Sequence, residues 1–320
     1  KMSLLDQLAT QTKIVADTGD FQQIAKYKPV DATTNPSLVY KAVKSEKYQN
    51  LVNDAIEYGK TKGKTEEGKI EAAMDKLAVN FGVEILKVIS GRVSTEVDAR
   101  LSFDRAATVE KAKEIYGLYR AAGVDPERRV LIKIASTWEG IQACKELEAE
   151  QIHCNMTLLF AEEQAIACAQ AKATLISPFV GRILDWYKKA TGKTEYEAKE
   201  DPGVKSVQNI YRYYKKHDIK TVIMGASFRN KEEILELAGI DLLTISPQLL
   251  QELADTKGDV PTKLSIEEAK KHPIPLIMLD EKAFRWGMNE NAMATEKLAE
   301  GIRNFSKDIR SLETTLKELL

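Results

Sequence analysis

Eight short apolar segments alternate with longer amphipathic ones along this 320-residue chain, and this alternation constrains the fold more than any other feature. Short apolar runs are typical of buried strands, and the amphipathic stretches between them are typical of helices. The predicted strands are 13–17, 29–34, 92–97, 130–135, 152–158, 173–178, 221–226 and 241–245. Because strands that alternate with helices form parallel sheets, eight such units predict a closed (β/α)8 barrel, or TIM barrel.

The segments between the predicted strands have helical character. Helices are predicted at 37–58, 108–122, 138–150, 160–171, 204–217 and 231–238. Pro36 directly after Asn35 predicts a helix start, since Asn is a good cap and Pro suits the first helical position. Two polar stretches, 60–69 and 191–203, predict charged surface loops and not linkers. We therefore expect a single domain, 1–320, in which Lys1 ahead of Met2 is a cloning remnant.

The C-terminal segment, 292–320, is predicted to be one long helix with a single apolar face. Its apolar residues recur at steps of three and four: Leu298, Ile302, Phe305, Ile309, Leu312, Leu316 and Leu319. Two surfaces can cover this face, the barrel of the same chain and a second subunit in a homodimer. We favour the barrel of the same chain, because such folds usually carry extra helices themselves.

A lysine lies in the middle of the fourth predicted strand. Lys133 is flanked by apolar residues, and strand alternation puts its side chain on the same face as Leu131 and Ala135. Lysine is almost never fully buried without a partner, and burial lowers its pKa because it disfavours the charged form. A neutral amine is a nucleophile that forms Schiff bases with carbonyl compounds. Lys133 therefore predicts imine chemistry, unless its ammonium group extends past the strand end to water.

Charge and cysteine content exclude several classes of partner. The net charge is −1, with 47 basic and 48 acidic residues, so neither nucleic acid nor an anionic membrane is expected to bind. No apolar run approaches the roughly 20 residues of a membrane span. Residues 2–7 do not resemble a signal peptide, and Cys144, Cys154 and Cys168 form no C-x-x-C pair. We therefore expect a cytoplasmic protein with a small-molecule ligand.

Polar side chains gather at the predicted C-terminal ends of the strands, where barrel enzymes place their active sites. They are Asp17, Asn35, Glu96, Asn155, Thr157 and Ser177, with Lys133 on the fourth strand. Arg182 and Arg229 follow the sixth and seventh strands, where barrels tend to bind phosphate. Two carboxyl groups, one amine and two guanidinium groups are therefore expected to converge.

Each of these residues also has a structural interpretation. Asp17 can cap a loop, and Glu96 can pair with Arg100 one helical turn on. Arg182 can pair in the same way with Asp185. Taken singly, each residue is a weak signal.

Five stretches around these residues resemble the transaldolase family. They are 31–37, 132–138, 155–160, 176–182 and 224–230, and 298–303 in the C-terminal helix resembles the family as well. The resemblance runs nearly from end to end, and several motifs are longer than chance would supply. None of the functional positions departs from the family pattern.

The resemblance implies a (β/α) barrel and a metal-free class I mechanism that needs no cofactor. It implies transfer of a dihydroxyacetone unit from a ketose phosphate to an aldose phosphate in the pentose phosphate pathway. The implied donors are sedoheptulose 7-phosphate and fructose 6-phosphate, and the implied acceptors are glyceraldehyde 3-phosphate and erythrose 4-phosphate.

The resemblance also implies a role for each polar position. Lys133 resembles the Schiff-base lysine, and Asp17 and Glu96 resemble the acid and base groups. Thr157 resembles the residue that helps Glu96 to hold a catalytic water. The residues that match substrate ligands are Asn35, Asn155, Ser177, Phe179, Arg182, Ser227 and Arg229.

Three other functions are weighed against this one. A hydrolytic class I aldolase of the fructose-6-phosphate aldolase type would share the lysine, and Phe179 and Glu96 are the residues that argue against it. A metal-dependent hydrolase would need clustered histidines, but His153, His217 and His272 are scattered, and no metal site is expected. A non-catalytic binding barrel would have no use for a buried amine beside two carboxyl groups.

Overall fold

Eight parallel strands close a barrel in chain order in a computed structural model that describes residues 1–320. The strands are β1 Lys13–Asp17, β2 Asp31–Thr33, β3 Val93–Glu96, β4 Val130–Ala135, β5 Cys154–Leu159, β6 Leu175–Pro178, β7 Val222–Gly225 and β8 Leu242–Ile245. Pairing of β8 with β1 closes the ring. The predicted (β/α)8 fold is confirmed, and all eight predicted strands overlap the observed ones.

Sixteen helices surround the barrel. They are α1 Leu4–Ala9, α2 Phe21–Tyr27, α3 Pro36–Val43, α4 Gln49–Lys62, α5 Glu66–Leu86, α6 Arg105–Ala121, α7 Pro126–Arg129, α8 Trp138–Ala149, α9 Glu162–Gln170, α10 Gly181–Thr191, α11 Pro202–Lys216, α12 Lys231–Leu235, α13 Pro247–Asp255, α14 Ile266–Lys270, α15 Glu281–Glu290 and α16 Ala292–Lys317. No helix combines the length and apolar character needed to cross a bilayer.

The prediction of one helix over 37–58 is wrong. Asn35 caps α3 as predicted, with its Oδ1 accepting a hydrogen bond from the backbone N–H of Leu38 at 2.9 Å. The helix then ends at Val43, and a 3-10 turn over Glu46–Tyr48 precedes α4. This break buries the ring of Tyr48 against Phe21 and Phe81, with ring centroids 4.7 and 5.4 Å away.

Both predicted charged loops are shorter than expected. Most of 60–69 is helical, since α4 runs to Lys62 and α5 starts at Glu66 with Thr65 as its cap. Gly63 permits this tight turn, because a Cβ there would lie 2.2 Å from the backbone nitrogen of Lys69. The stretch 191–203 includes a 3-10 turn at Ala198–Glu200 and the start of α11. The predicted helices did not include α1, α2, α5, α7, α10, α13, α14 and α15.

An apolar layer inside the barrel forms the floor of the site. It is built from Val15, Leu131, Leu175, Met224 and Leu242, all of them buried. Because side chains alternate along a strand, the residues two positions further along face the same interior. Those residues include Asp17, Lys133 and Ser177, so the strand register itself lifts the polar groups above the floor.

Helix α16 packs on its own barrel and shares contacts with α3, α5, α10 and β5. Phe305 and Ile309 join the main core, while Leu312 and Leu316 join a second cluster with α4 and α5. Gly301 lets the helix approach β5, since a Cβ there would lie 2.6 Å from Leu158. The helix therefore reaches the end of the barrel that carries the polar residues.

Candidate active site

Lys133 occupies the centre of the barrel, midway along β4. Only 5% of its surface is exposed, and its Nζ donates a hydrogen bond to the carbonyl of Thr34 at 3.2 Å. Its register partners on the neighbouring strands are Glu96 and Asn155. The amine is therefore buried without a salt bridge and held by a neutral carbonyl. The alternative in which Lys133 extends to water is wrong.

Asp17 ends β1 at the edge of the same cleft. Its Oδ1 accepts a hydrogen bond from the Thr33 hydroxyl at 3.1 Å, and Thr33 in turn lies 2.7 Å from the Thr244 hydroxyl. Desolvation by the surrounding protein raises the pKa of Asp17, although the positive charges of Lys133 and Arg182 oppose the shift. The carboxyl group is thus oriented by a threonine pair and suited to exchange protons nearer neutral pH.

Glu96 and Thr157 bring three unpartnered oxygens into the interior. Both carboxylate oxygens of Glu96 and the hydroxyl of Thr157 are buried without a hydrogen-bond partner. Burial raises the pKa of Glu96 to about 7, against the opposing charges of Lys133 and Arg182. Buried polar atoms that lack protein partners are where ordered water is expected. The alternative pairing of Glu96 with Arg100 is wrong, because Arg100 binds Asp98 and Glu313.

The backbone beside Thr157 is irregular. The pairing of β5 with β6 shifts register between Met156 and Leu159, and Leu158 has a φ of +52°. The carbonyl of Thr157 is fixed by Ser136, which donates to it from its backbone N–H at 2.8 Å and its hydroxyl at 2.7 Å. A strained non-glycine residue next to an unpartnered hydroxyl is typical of a functional position.

Three amide and hydroxyl side chains, from β3, β5 and β6, form a buried hydrogen-bond network. The Ser177 hydroxyl donates to Asn155 Oδ1 at 2.8 Å, and Asn155 Nδ2 donates to the Ser94 hydroxyl at 3.0 Å. Asn35 lies at the cleft with its Oδ1 occupied as the cap of α3. These hydrogen bonds fix the orientation of each group, which is what recognition of a polar ligand requires.

Arg182 lies between two aromatic rings. Its guanidinium carbon is 4.8 Å from the ring centroid of Phe179 and 5.5 Å from that of Phe305 on α16. Burial lowers the pKa of Arg182, and the nearby charge of Arg229 lowers it further. Two adjacent guanidinium groups are a site for an anion such as phosphate.

Arg229 follows β7 and faces the start of α10. Its Nη2 donates to Asp185 Oδ2 at 2.8 Å, so Asp185 pairs with Arg229 and not with Arg182. Ser227 adopts a φ of +61°, and its carbonyl accepts a hydrogen bond from the backbone N–H of Gly181. We call residues 225–230 the clamp loop. This contact brings the loop against the residue that precedes Arg182.

Phe179 is buried beside the cleft, with 6% of its surface exposed. Its ring packs edge-on against Phe160 with centroids 5.3 Å apart, and Arg182 covers its other side. The ring offers no hydrogen-bonding group to the cleft.

One cleft is lined by most of the predicted site residues. Its lining includes Asp17, Asn35, Lys133, Ser177, Phe179, Arg182, Ser227 and Arg229. Asn155 and Thr157 are buried beneath it, and Glu96 borders a second cavity between the barrel, α5 and α16. Sequence reasoning missed Thr33, Thr244 and Ser94, and it named Asp185 and Phe305 without predicting their contacts with Arg229 and Arg182. Thr244 is the residue before the last one of β8, so the expectation that functional side chains lie at the C-terminal ends of strands could have identified it.

Comparison with known proteins gives the family. A model of the transaldolase/fructose-6-phosphate aldolase family matches residues 14–316. The chain belongs to this family. The transaldolase of Protochlamydia amoebophila is 59% identical over 98% of this chain and 97% of its own length. The transaldolase of Sus scrofa is 59% identical over 99% of this chain and 94% of its own length.

A Drosophila melanogaster relative named probable transaldolase is 58% identical over the whole of this chain and 97% of its own length. These matches extend over the complete barrel and α16. The predicted transaldolase family and the predicted enzyme class, a transferase, are therefore confirmed.

Proposed function

We propose that this transaldolase-family enzyme transfers a dihydroxyacetone unit between sugar phosphates through a Schiff base on Lys133. The observation that carries the proposal is the buried, salt-bridge-free amine of Lys133 in one cleft with Asp17 and two guanidinium groups. The proposed donors are sedoheptulose 7-phosphate and fructose 6-phosphate, and the acceptors are glyceraldehyde 3-phosphate and erythrose 4-phosphate. These reactions belong to the pentose phosphate pathway.

Imine formation comes first. The Lys133 amine attacks the ketone carbon of the donor and gives a carbinolamine, which must lose water to become an iminium ion. Loss of water needs a proton donor, and Glu96, whose pKa is raised by burial to about 7, is suited to supply it. We propose that Glu96 and Thr157 hold the water that carries this proton, because their buried oxygens lack protein partners.

Carbon–carbon cleavage follows. Asp17 takes the proton from the hydroxyl next to the breaking bond, the bonding electrons move into the iminium group, and an aldose phosphate leaves. The three-carbon unit remains on Lys133 as an enamine. Attack of this enamine on the aldehyde of a second aldose phosphate, with proton return from Asp17, forms a new carbon–carbon bond and regenerates the iminium ion. Water then adds to the iminium carbon, and the carbinolamine breaks down to release the product ketose phosphate and the Lys133 amine.

Substrate recognition is divided between the two sides of the cleft. We propose that Asn35, Asn155 and Ser177 bind the hydroxyl groups of the three-carbon unit, since their amides and hydroxyl are fixed around Lys133. Arg182, Arg229 and Ser227 bind the phosphate at the other end. This division places the bond to be broken near Asp17.

A second candidate is a hydrolytic aldolase of the fructose-6-phosphate aldolase type, an activity that the family description also includes. That enzyme would protonate the enamine and release dihydroxyacetone. Phe179 favours transfer, because its buried ring offers neither a proton nor a binding site for water beside Lys133. The enamine therefore waits for an aldehyde.

The chain is also proposed to act as a single domain in the cytoplasm. The ring of Phe305 on α16 packs against the guanidinium group of Arg182, so we propose that the C-terminal helix belongs to the same functional unit as the barrel. The three cysteines are buried and unpaired, as suits a reducing compartment. A homodimer stays a prediction, and sedimentation analysis would test it.

Borohydride trapping tests the proposal. Incubation with fructose 6-phosphate and borohydride should attach a reduced three-carbon unit to the peptide that contains Lys133. Lys111 is a matched control, because it is also buried but is bound by the three carboxylates of Glu71, Asp75 and Glu114. Labelling of another lysine, or none, would refute the Schiff-base mechanism.

A further inference from the structure

A buried pair of carboxyl groups lies behind the clamp loop, outside the proposed catalytic set. Glu233 on α12 has no exposed surface, and Asp201, which caps α11, has 2% exposed. The two carboxyl groups contact each other, and this contact and burial raise the pKa of Glu233. The pair connects the loop that carries Arg229 to the start of α11.

Backbone N–H groups donate hydrogen bonds to one oxygen of each carboxyl group. Glu233 Oε1 accepts a hydrogen bond from the backbone N–H of Arg229 at 2.6 Å. Asp201 Oδ1 accepts from the backbone N–H groups of Gly203 at 2.8 Å and Val204 at 3.3 Å. Glu233 Oε2 is buried and receives no donor from the protein. A proton on one carboxyl group is therefore what satisfies the contact between them.

No cation forms a salt bridge with either carboxyl group of this pair, although Lys188 of α10 lines a surface cavity with Asp201 and has no salt bridge of its own. Among the charged residues on neighbouring elements, Lys231 pairs with Glu232 and with Glu252 of α13. Other cations nearby are taken in the same way: Lys205 of α11 pairs with Glu200, and the Arg229 guanidinium pairs with Asp185 of α10. Two ionised carboxylates at 201 and 233 would consequently repel each other without compensation.

We infer that Glu233 and Asp201 share one proton, and that this proton holds the backbone of Arg229 in position for binding a phosphate dianion. Glu233 is thus a positioning residue that acts through the Arg229 N–H. The inference rests on the proposed role of Arg229 as a phosphate ligand. Loss of the shared proton adds a negative charge behind the clamp loop and leaves two carboxylates in contact, and their repulsion acts to displace Glu233 from its place under the Arg229 N–H.

The direction of the pH effect follows from linkage. An anion on Arg229 favours the protonated pair, because the singly charged pair repels the anion less than the doubly charged pair does. Anion affinity must therefore fall as the pH rises through the pKa of the pair. This effect differs from the titration of the sugar phosphate itself, which is already a dianion above neutral pH.

Sulfate is the probe for this test, since it stays a dianion throughout. The titration is made in a Glu96→Gln background, because Glu96 has a pKa of about 7 and interacts with the charge of Arg182 in the same anion site. From about pH 6.5 to about pH 9.5, calorimetry should show the sulfate affinity of this background falling about tenfold, as expected if the anion raises the pKa of the pair by about one unit. Adding Glu233→Gln should give a flat profile, because its amide can donate to Asp201 and still accept from Arg229. Adding Glu232→Gln, on the exposed side of the same helix, should retain the profile of the background.

In the Glu96→Gln background, two results would overturn the inference: a flat profile before any further change, and an alkaline loss of affinity that survives when Glu233→Gln is added. If Glu233→Gln does not fold, Asp201→Asn tests the same prediction, because it also keeps one hydrogen in the pair. Sulfate binding that Arg229→Ala leaves unchanged would refute the phosphate role of Arg229, and the inference would fail with it. If the shared proton of Glu233 and Asp201 is refuted, the proposed phosphate role of Arg229 and the borohydride trapping at Lys133 are unaffected.

Discussion

Glu96 is the direct register partner of Lys133 across β3 and β4, yet no hydrogen bond or salt bridge joins their side chains. Both oxygens of the Glu96 carboxyl group are buried without a partner, beside an amine that is itself bound only to a backbone carbonyl. The proposed mechanism assigns a water to these unpartnered oxygens.

Glu96→Gln should slow imine formation by roughly 100-fold or more, the usual size of a lost acid catalyst. The wild-type rate should fall as the pH rises above about 7, where Glu96 loses its proton. The rate of the Glu96→Gln variant should not show this fall at high pH. Rapid quenching with borohydride measures the rate, and an unchanged pH profile in Glu96→Gln would assign the proton to another group.

Glu96 should also make stability depend on pH. Because burial raises its pKa from 4.5 to about 7, its contribution is fully present below the unfolded pKa and is lost as the pH rises through the folded pKa. The loss amounts to about 3 kcal/mol at most. Glu96→Gln should therefore be more stable than wild type at pH 8, and urea unfolding measures the difference. Glu67→Gln, on the surface of α5, should show no such gain.

Asp17→Asn should separate imine formation from cleavage. The amide keeps the size of the side chain but cannot take the hydroxyl proton, so the carbon–carbon bond should stay intact. Borohydride should then trap the whole sugar phosphate on Lys133, which mass spectrometry distinguishes from a three-carbon unit. Complete loss of trapping would mean that Asp17 acts in imine formation instead.

Arg229→Ala should raise KM for phosphorylated donors about 10- to 100-fold, the range expected for lost hydrogen bonds to a charged group. Arg182→Ala should do the same and also lower Tm, because Arg182 packs between Phe179 and Phe305. Steady-state kinetics with fructose 6-phosphate and with fructose separates phosphate binding from chemistry. Arg100→Ala, whose ion pairs lie away from the cleft, should leave both KM values unchanged.

Phe179→Tyr should convert transfer partly into hydrolysis. The added hydroxyl lies beside the enamine and can protonate it or orient a water, so free dihydroxyacetone should appear without an acceptor while transfer falls. Phe228→Tyr, which adds a hydroxyl elsewhere in the same cleft, is the matched control. A folded Phe179→Tyr enzyme that releases no more dihydroxyacetone would show that Phe179 only packs against the barrel rim.

The strands and their polar ends were predictable because both follow from local patterns. Apolar runs located β1 to β8, and strand alternation placed Asp17, Lys133 and Ser177 on the interior face. Asn35 and Pro36 marked the start of α3 through capping chemistry. These features depend on residues close in the chain, so sequence spacing carries them.

Features set by distant contacts were not predictable. The break between α3 and α4 depends on packing of Tyr48 against Phe81, a residue on a helix that was itself not predicted. The carboxyl contact of Glu233 with Asp201 joins residues that have no regular spacing. The sequence allows Asp185 to pair with Arg182, three residues earlier on α10. The fold instead brings the guanidinium group of Arg229, in the clamp loop, against Asp185.

The stacking of Phe305 on Arg182 also orders events during synthesis. All eight strands and every other cleft residue named here precede residue 305 in the chain, so a ribosome completes the barrel before it makes this ring. A nascent chain that stops after β8 has its amine and both carboxyl groups but lacks one face of the anion site. The anion site proposed at Arg182 and Arg229 is therefore completed late in translation, after the reactive groups have already been made.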